Sequence, residues 1–170
     1  MDFSELVKNR FSVRKFDGTT LSSDEIGVIL EAGRAAPTAK NQQPQRIFVL
    51  KTKDALANLK KCTACDYDTK TAFLICYDTD ISWKRPFDGA DSGQTDASII
   101  ATHMMLSAFS IGVGTTWVMW FDPEKVRYNF DLPDNLVPAV ILVAGHAAPD
   151  AKPSENHQKR KPLDETVEIL

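Results

Sequence analysis

The 170-residue sequence lacks the features that mark several protein classes. It has only three cysteines, an odd number that does not make a disulfide scaffold. No apolar run approaches the roughly 20 residues that cross a bilayer, and residues 1–10 lack the continuous apolar stretch of a secretory signal. The net charge of −3 is not the basic excess typical of nucleic-acid-binding proteins. We therefore expect a cytoplasmic protein that binds neither membrane nor nucleic acid.

The apolar residues recur with the periods of helices and strands and predict one domain over residues 1–170. The chain is long enough to bury a core, and the elements occur in mixed order, as in an α+β fold or a mixed α/β layer fold. Residues 146–170 are polar and contain proline, so we expect an arm that lies on another surface. The predicted helices are 2–9, the segment between Ser22 and Pro37, 54–62, 94–112 and the segment after Asp122; the predicted strands are 46–52, 71–79, 113–121 and 137–145.

Several predicted helix ends carry capping signals. Ser22 and Glu25 have the spacing of a capping box, and Asp122 precedes a proline at a first helical position. Gly112 is placed to end the helix over 94–112. That helix is apolar nearly all round, which indicates burial in the fold or at a dimer interface.

The segment "RFSVR" (residues 10–14) is the first candidate for chemistry. In an extended segment, side chains alternate between two sides, so Arg10, Ser12 and Arg14 are expected on one side, with Phe11 and Val13 towards the core. Two guanidiniums and a hydroxyl suit a phosphate monoester. A solvated strand edge is an equally simple explanation of the five residues alone.

The segment "AAPTAKNQQPQ" (residues 35–45) is the second candidate. Amides such as those of Asn41 and Gln43 offer both donors and acceptors, which suits the edge of a heterocycle or sugar hydroxyls. Read alone, the segment is also explained as a helix stop followed by turn-forming residues.

The remaining reactive residue types give weaker signals. Cys62 and Cys65 form a C-x-x-C without the second pair or the histidines of a zinc site. A thioredoxin-type redox pair would lie at the start of a helix, whereas Cys62 ends a predicted helix. We interpret both as ordinary thiols. His103 lies in the apolar helix and is interpreted as a core or interface residue, and Asp91 and Asp96 flank that helix's positive end.

Four motifs in order make the chain resemble the nitroreductase-like flavoprotein family. The family pattern is an N-terminal R-x-S-x-[RK], an A-P-S-x-x-N-x-Q-P loop, a buried helix running into G-[LIV]-G-x-x-W, and a tail of the form x-R-x-P-L-x-E. This sequence has "RFSVR", "APTAKNQQP", "SIGVGTTW" and "KRKPLDETV". The resemblance implies an α+β nitroreductase-like fold with a central mixed or antiparallel sheet of four to five strands, and a homodimer that exchanges the arm 146–170.

The resemblance also implies a binding site for FMN that two subunits build. Arg10, Ser12 and Arg160 would contact the phosphate, Arg14 the ribityl chain and the N1/C2=O edge of the ring, and a backbone N–H near Trp117–Met119 would lie close to N5. The loop 37–43 would come from the second subunit. The implied cofactor-binding residues are Arg10, Phe11, Ser12, Arg14, Pro37, Thr38, Ala39, Asn41, Gln43, Trp117, Val118, Met119, Lys159 and Arg160. The ring-edge asparagine and lysine of larger relatives have no match here, and Tyr67 or Lys70 are their possible substitutes.

The implied activity is transfer of hydride from NADH or NADPH, through flavin N5, to nitroaromatics, quinones or similar electron-deficient acceptors in a ping-pong cycle. The resemblance nominates no catalytic side chain, because the cofactor carries the chemistry. Two alternatives stay open at this point. One is different flavin chemistry on the same fold, such as reductive dehalogenation, cofactor fragmentation or desaturation. The other is a non-enzymatic flavin-binding sensor or storage protein.

Overall fold

A four-stranded antiparallel sheet forms the centre of the structure, which is a computed structural model and describes residues 2–170. The strands lie in the order β1-β2-β4-β3, and every pair is antiparallel. The sequence had left open a mixed sheet and a fifth strand; the described residues contain neither. The strands are β1 (Gln45–Leu50), β2 (Thr71–Asp78), β3 (Gly114–Val118) and β4 (Leu136–Gly145).

Within residues 2–170, four of the five α-helices cover the two faces of this sheet. The predicted capping box is present, since Ser22 and Glu25 each accept the other's backbone N–H. Asp122 accepts two backbone N–H groups of the helix it precedes, and Gly112 has a φ of 81° just beyond the apolar helix, as its predicted role as a stop requires. The helices are α1 (Phe3–Asn9), α2 (Ser23–Arg34), α3 (Lys53–Cys62), α4 (Gly93–Ser110) and α5 (Pro123–Asn129).

The core consists of two apolar layers, one on each face of the sheet. One layer joins α2 and α4 to side chains such as Phe73 and Leu142. The other joins α3 and α5 to side chains such as Leu74 and Ile141. Because both faces are covered, β2 and β4 are buried almost throughout, which explains their continuous apolar runs. Within residues 2–170, no helix combines the length and the apolarity needed to span a membrane.

Two predicted segments differ from the structure. The strand predicted over 113–121 ends at Val118, because the following residues turn away to bond the end of α3. The loop predicted over 80–93 contains a short antiparallel pairing of Lys84 with Asp91, whose side chains also form an ion pair at 2.6 Å. This segment is therefore a turn that the pairing of Lys84 with Asp91 holds closed, and it leads into α4.

Candidate functional site

The basic segment lies in extended form along the outer edge of β3. Ser12 pairs with Thr115, the N–H of Val13 donates to the carbonyl of Thr115 at 2.9 Å, and the hydroxyl of Thr116 donates to the carbonyl of Val13 at 2.5 Å. Val13 is buried, and a Cβ on Gly114 would come 2.5 Å from its side chain. The glycine thus permits the close approach that holds the segment in place.

The cleft above this segment brings the N-terminal arginines together with the arm. Its volume is about 150 Å³. Phe11 lines it as well, and its ring meets that of His157 edge to face, with centroids 6.2 Å apart. The strict alternation that assigned Phe11 to the core is therefore wrong, whereas Val13 is in the core as expected. The lining residues are Arg10, Phe11, Ser12, Arg14, Ser154, Asn156, His157 and Arg160.

The arginines that line this cleft give it positive charge only. Burial and the nearby positive charge of Arg160 lower the pKa of the Arg10 guanidinium from its usual value. The lining described above includes no carboxylate to offset these charges. Two guanidiniums that repel each other, surrounded by hydroxyl, amide and imidazole groups, form a donor set that fits a phosphate dianion. The residues present therefore fit the phosphate of FMN.

The arm reaches the cleft by running back along the basic segment of the same chain. The N–H of Ala148 donates to the carbonyl of Lys15 at 3.0 Å, and Lys15 forms an ion pair with Asp150. The guanidinium of Arg160 donates to the carbonyls of His157 and Lys159 at 2.6 and 2.8 Å. These bonds hold the turn of the arm that lines the cleft. Lys159 itself is exposed and is not among the residues that line the cleft.

The loop 37–43 has a strained backbone. Lys40, Asn41 and Gln43 have φ values of 51°, 56° and 51°, a left-handed conformation that non-glycine residues seldom adopt. The hydroxyl of Thr38 accepts the N–H of Gln43 at 3.0 Å. Strain of this kind persists only where the surroundings enforce it, and it concentrates at functional sites.

A buried carboxylate anchors this loop to α4. Asp96, which is 2% exposed, accepts the N–H of Ala39 at 2.8 Å and the hydroxyl of Ser92 at 2.8 Å. Sequence reasoning assigned Asp96 only to the positive end of the helix and missed this role. The available signal was that Asp96 is the one acidic residue in the otherwise uncharged segment 94–112.

The single chain does not bring the loop 37–43 to the cleft at Arg10. Pro37, Asn41 and Gln43 have exposed side chains, and none of them contributes to the lining of the cleft described above. The loop is therefore preformed and displays polar groups to its surroundings.

The segment after β3 forms the third predicted part of the site. Trp117 packs partly into one core layer and Val118 is buried in the other, so of these three residues only Met119 exposes most of its side chain. The hydroxyl of Thr63 donates to the carbonyl of Trp120 at 2.5 Å. The end of α3 thus holds the backbone at this point beside an open cleft of about 520 Å³.

Comparisons with known proteins show what the chain is similar to. The model of the nitroreductase family matches residues 7–74 and 69–146. A Staphylococcus aureus protein named NADPH-dependent oxidoreductase is 28% identical over 162 residues. The match covers 85% of this chain but only 64% of that protein.

Solved structures show the same likeness. A nitroreductase family protein from Clostridium difficile is 40% identical, with a TM-score of 0.93 and coverage of 99% of this chain and 98% of that one. A protein from Exiguobacterium sibiricum, solved in complex with FMN, shares the fold at 20% identity, with a TM-score of 0.84 over 100% of this chain and 98% of its own. The chain belongs to the nitroreductase family.

Proposed function

We propose that this protein is an FMN-dependent NAD(P)H oxidoreductase that reduces nitroaromatics, quinones or similar electron-deficient acceptors. The observation that carries the proposal is the cleft in which Arg10 and Arg160 lie close together without a carboxylate among the lining residues. The repulsion between these two guanidiniums destabilises the ligand-free cleft. A bound dianion would attract both guanidiniums and so offset that repulsion. The relative named NADPH-dependent oxidoreductase and the protein solved in complex with FMN support the same activity.

The side chains of the cleft bind and orient the cofactor. Arg10, Ser12 and Arg160 would hold the phosphate, while Arg14 at the cleft's edge would extend a positive charge towards the ring. FMN supplies hydride exchange between the nicotinamide and the acceptor. The backbone after Val118, fixed by Thr63, would lie beside the reacting edge. The hydride transfer itself needs no dedicated acid or base from the chain, and the proton that the acceptor also takes up would come from solvent.

The same proposal includes a homodimer. The accessible surface of 10158 Å² exceeds the roughly 8300 Å² expected for a compact 18.9 kDa monomer. Leu163 and Ile169 are 78% and 95% exposed, and β1 is an edge strand. Residues 147–160 of the arm pack against the basic segment of their own chain, so the part available for exchange is 161–170. Its packing on a second subunit would bury these apolar side chains and cover an edge that favours pairing with another chain. It would also allow the loop 37–43 to complete the partner's site.

The activity is tested by titrating the protein with FMN and then reducing the complex anaerobically. We expect NADH or NADPH to bleach the bound flavin, and menadione or nitrofurazone to restore its absorbance. Failure to bind FMN would refute the proposal. Bound flavin that neither nucleotide reduces would favour a sensor or storage protein. Turnover restricted to a panel of halogenated substrates would favour dehalogenation.

The homodimer is tested by size-exclusion chromatography with light scattering on the FMN-loaded protein. We expect a mass of about twice 18.9 kDa. A stable, FMN-loaded monomer would show that one chain completes the site and would remove the second subunit from the proposal.

A further inference from the structure

Two open clefts adjoin at Lys60 on helix α3. The first, of about 520 Å³, lies at the end of the helix and is lined by Met119 and Trp120. The second, of about 490 Å³, lies towards the start of the helix at Lys53. Lys60 lines both, and neither shares a lining residue with the cleft at Arg10. Together they follow α3 over about 14 Å, the rise of its ten residues.

Lysines line both clefts, although the protein as a whole has a net charge of −3. Among the lining residues that the structure describes, Asp122 is the one carboxylate, and it accepts two backbone N–H groups at the start of α5. A local excess of cations on an acidic protein attracts anionic ligands. The lysines are Lys51, Lys53, Lys60, Lys61, Lys70 and Lys125.

Three lysines of the second cleft have their charges available. Within residues 2–170, none of Lys51, Lys53 and Lys70 forms an ion pair, and all three are exposed. The apolar side chains of Leu56 and Ala57 line the same cleft. Cations around an apolar surface suit a ligand that carries phosphate beside a planar base.

The first cleft offers a surface for a second planar group. Met119 and Trp120 are 57% and 77% exposed, and an exposed indole is a good surface for ring stacking. The ammonium group of Lys61 donates to the side-chain oxygen of Asn58 at 2.8 Å and keeps further N–H donors for an anion. Lys60, between the clefts, is already paired with acidic residues of the turn that follows α3.

We infer that the two clefts together bind the nicotinamide donor and that their lysines select NADPH over NADH. The inference rests on the proposed function, because it places the nicotinamide at Met119, where the backbone would lie beside the reacting edge of the flavin. The diphosphate would lie against Lys61, and the 2′-phosphate against Lys53 and Lys70, with the adenine on Leu56. An extended dinucleotide is long enough to follow the helix between these points.

The two donors differ only in the group that the second cleft would hold. NADH carries the same diphosphate as NADPH but lacks the 2′-phosphate. Lys53 and Lys70 should therefore affect NADPH alone, whereas Lys61 should affect both donors. Lys70, one of the residues considered for the ring edge, lines the second cleft and not the first.

The first test measures kcat/KM for each donor with the FMN-loaded protein and menadione. The wild type should use NADPH at least about tenfold better than NADH. Replacing Lys53 and Lys70 together by glutamine should lower kcat/KM about tenfold for NADPH, as expected for two exposed ion pairs, and less than about twofold for NADH. Lys61→Gln should lower both values by the same factor.

The matched control removes two charges elsewhere. Lys8 and Lys152 are exposed and line neither cleft, so replacing both by glutamine should leave both donors unchanged. Thermal unfolding of each variant checks that the fold is intact, which exposed lysines should not affect.

The second test measures binding without turnover, by calorimetric titration of the FMN-loaded protein. Adenosine 2′,5′-bisphosphate should bind the wild type about tenfold more tightly than adenosine 5′-monophosphate. The glutamine variant of Lys53 and Lys70 should bind the two nucleotides about equally.

A wild type that uses NADH as well as NADPH would overturn the inference. Equal losses for the two donors in the variant of Lys53 and Lys70, or no loss for NADPH, would overturn it too. Bound flavin that neither nucleotide reduces would instead refute the proposed function, and the calorimetric comparison would still decide whether these lysines hold a 2′-phosphate.

Discussion

Replacing Arg10 by glutamine should have opposite effects on cofactor binding and on the stability of the cofactor-free protein. Arg10 is half-buried, and both burial and the positive charge of Arg160 disfavour its charged form. Glutamine keeps a donor and much of the aliphatic stem but removes the charge. The cofactor-free variant should therefore be at least as stable as the wild type.

The loss of affinity follows from the bonds that a charged donor makes to phosphate. Hydrogen bonds to charged groups contribute about 1.5–3 kcal/mol, so the dissociation constant for FMN should rise about 10- to 150-fold. At an FMN concentration about 100 times the wild-type dissociation constant, the ligand stabilises the wild type by about 2.7 kcal/mol. By the same relation it should stabilise Arg10→Gln by only about 0.3–1.4 kcal/mol.

The assay pairs fluorimetric titration of FMN with thermal unfolding in its absence and presence. Arg34→Gln is the matched control, because it removes the same charge from an exposed position on α2, where Arg34 pairs with Glu31. We expect this control to bind FMN like the wild type. Equal affinity in Arg10→Gln and Arg34→Gln would show that Arg10 does not contact the cofactor and would refute the reasoning about the cleft.

Three further predictions concern the scaffold. Gly93→Ala should lower the free energy of unfolding by on the order of 1–3 kcal/mol, because its Cβ would overlap the ring of Tyr77. Gly27→Ala, in open space on α2, should raise that free energy by up to about 1 kcal/mol. Equal shifts of the thermal unfolding midpoint in the two variants would contradict this. Asp96→Ala should lower the free energy of unfolding, measured by denaturant titration, by about 1–3 kcal/mol, because it leaves buried donors unpaired. Asp96→Asn keeps an acceptor oxygen and should lose much less. Equal losses in the two variants would exclude the acceptor role. Burial raises the pKa of Cys76 to about 12, so iodoacetamide at about pH 8 should modify it only after unfolding, and mass spectrometry that detects rapid labelling of the native protein would disprove its burial.

Much of the fold could be predicted because its causes are local. Capping at Ser22 and Asp122 depends on residues two or three positions away, and the stop at Gly112 depends on one residue's conformational freedom. The apolar runs of β2 and β4 report burial on both faces. The order of four short motifs was enough to indicate the family, and the family match bears it out.

The candidate site could be predicted only in part, because its residues meet through packing. The sequence nominated Arg10, Ser12 and Arg160, but only the folded chain places opposite ends of the sequence around one small cleft. It also overturned the alternation at Phe11, since the arm supplies His157 as a partner. The roles assigned to these residues in FMN binding stay predictions until the titrations are done.

What the sequence by itself determined is therefore most of the helices and strands, their caps and the four ordered motifs that indicate the family. Tertiary structure alone decided the antiparallel strand order, the anchoring of Ala39 by Asp96 across 57 positions, and the left-handed turn at Tyr67 and Asp68. The physical reason is the distance along the sequence over which each effect acts. Propensity and periodicity act over a few residues, whereas these contacts depend on which surfaces the packed core brings together.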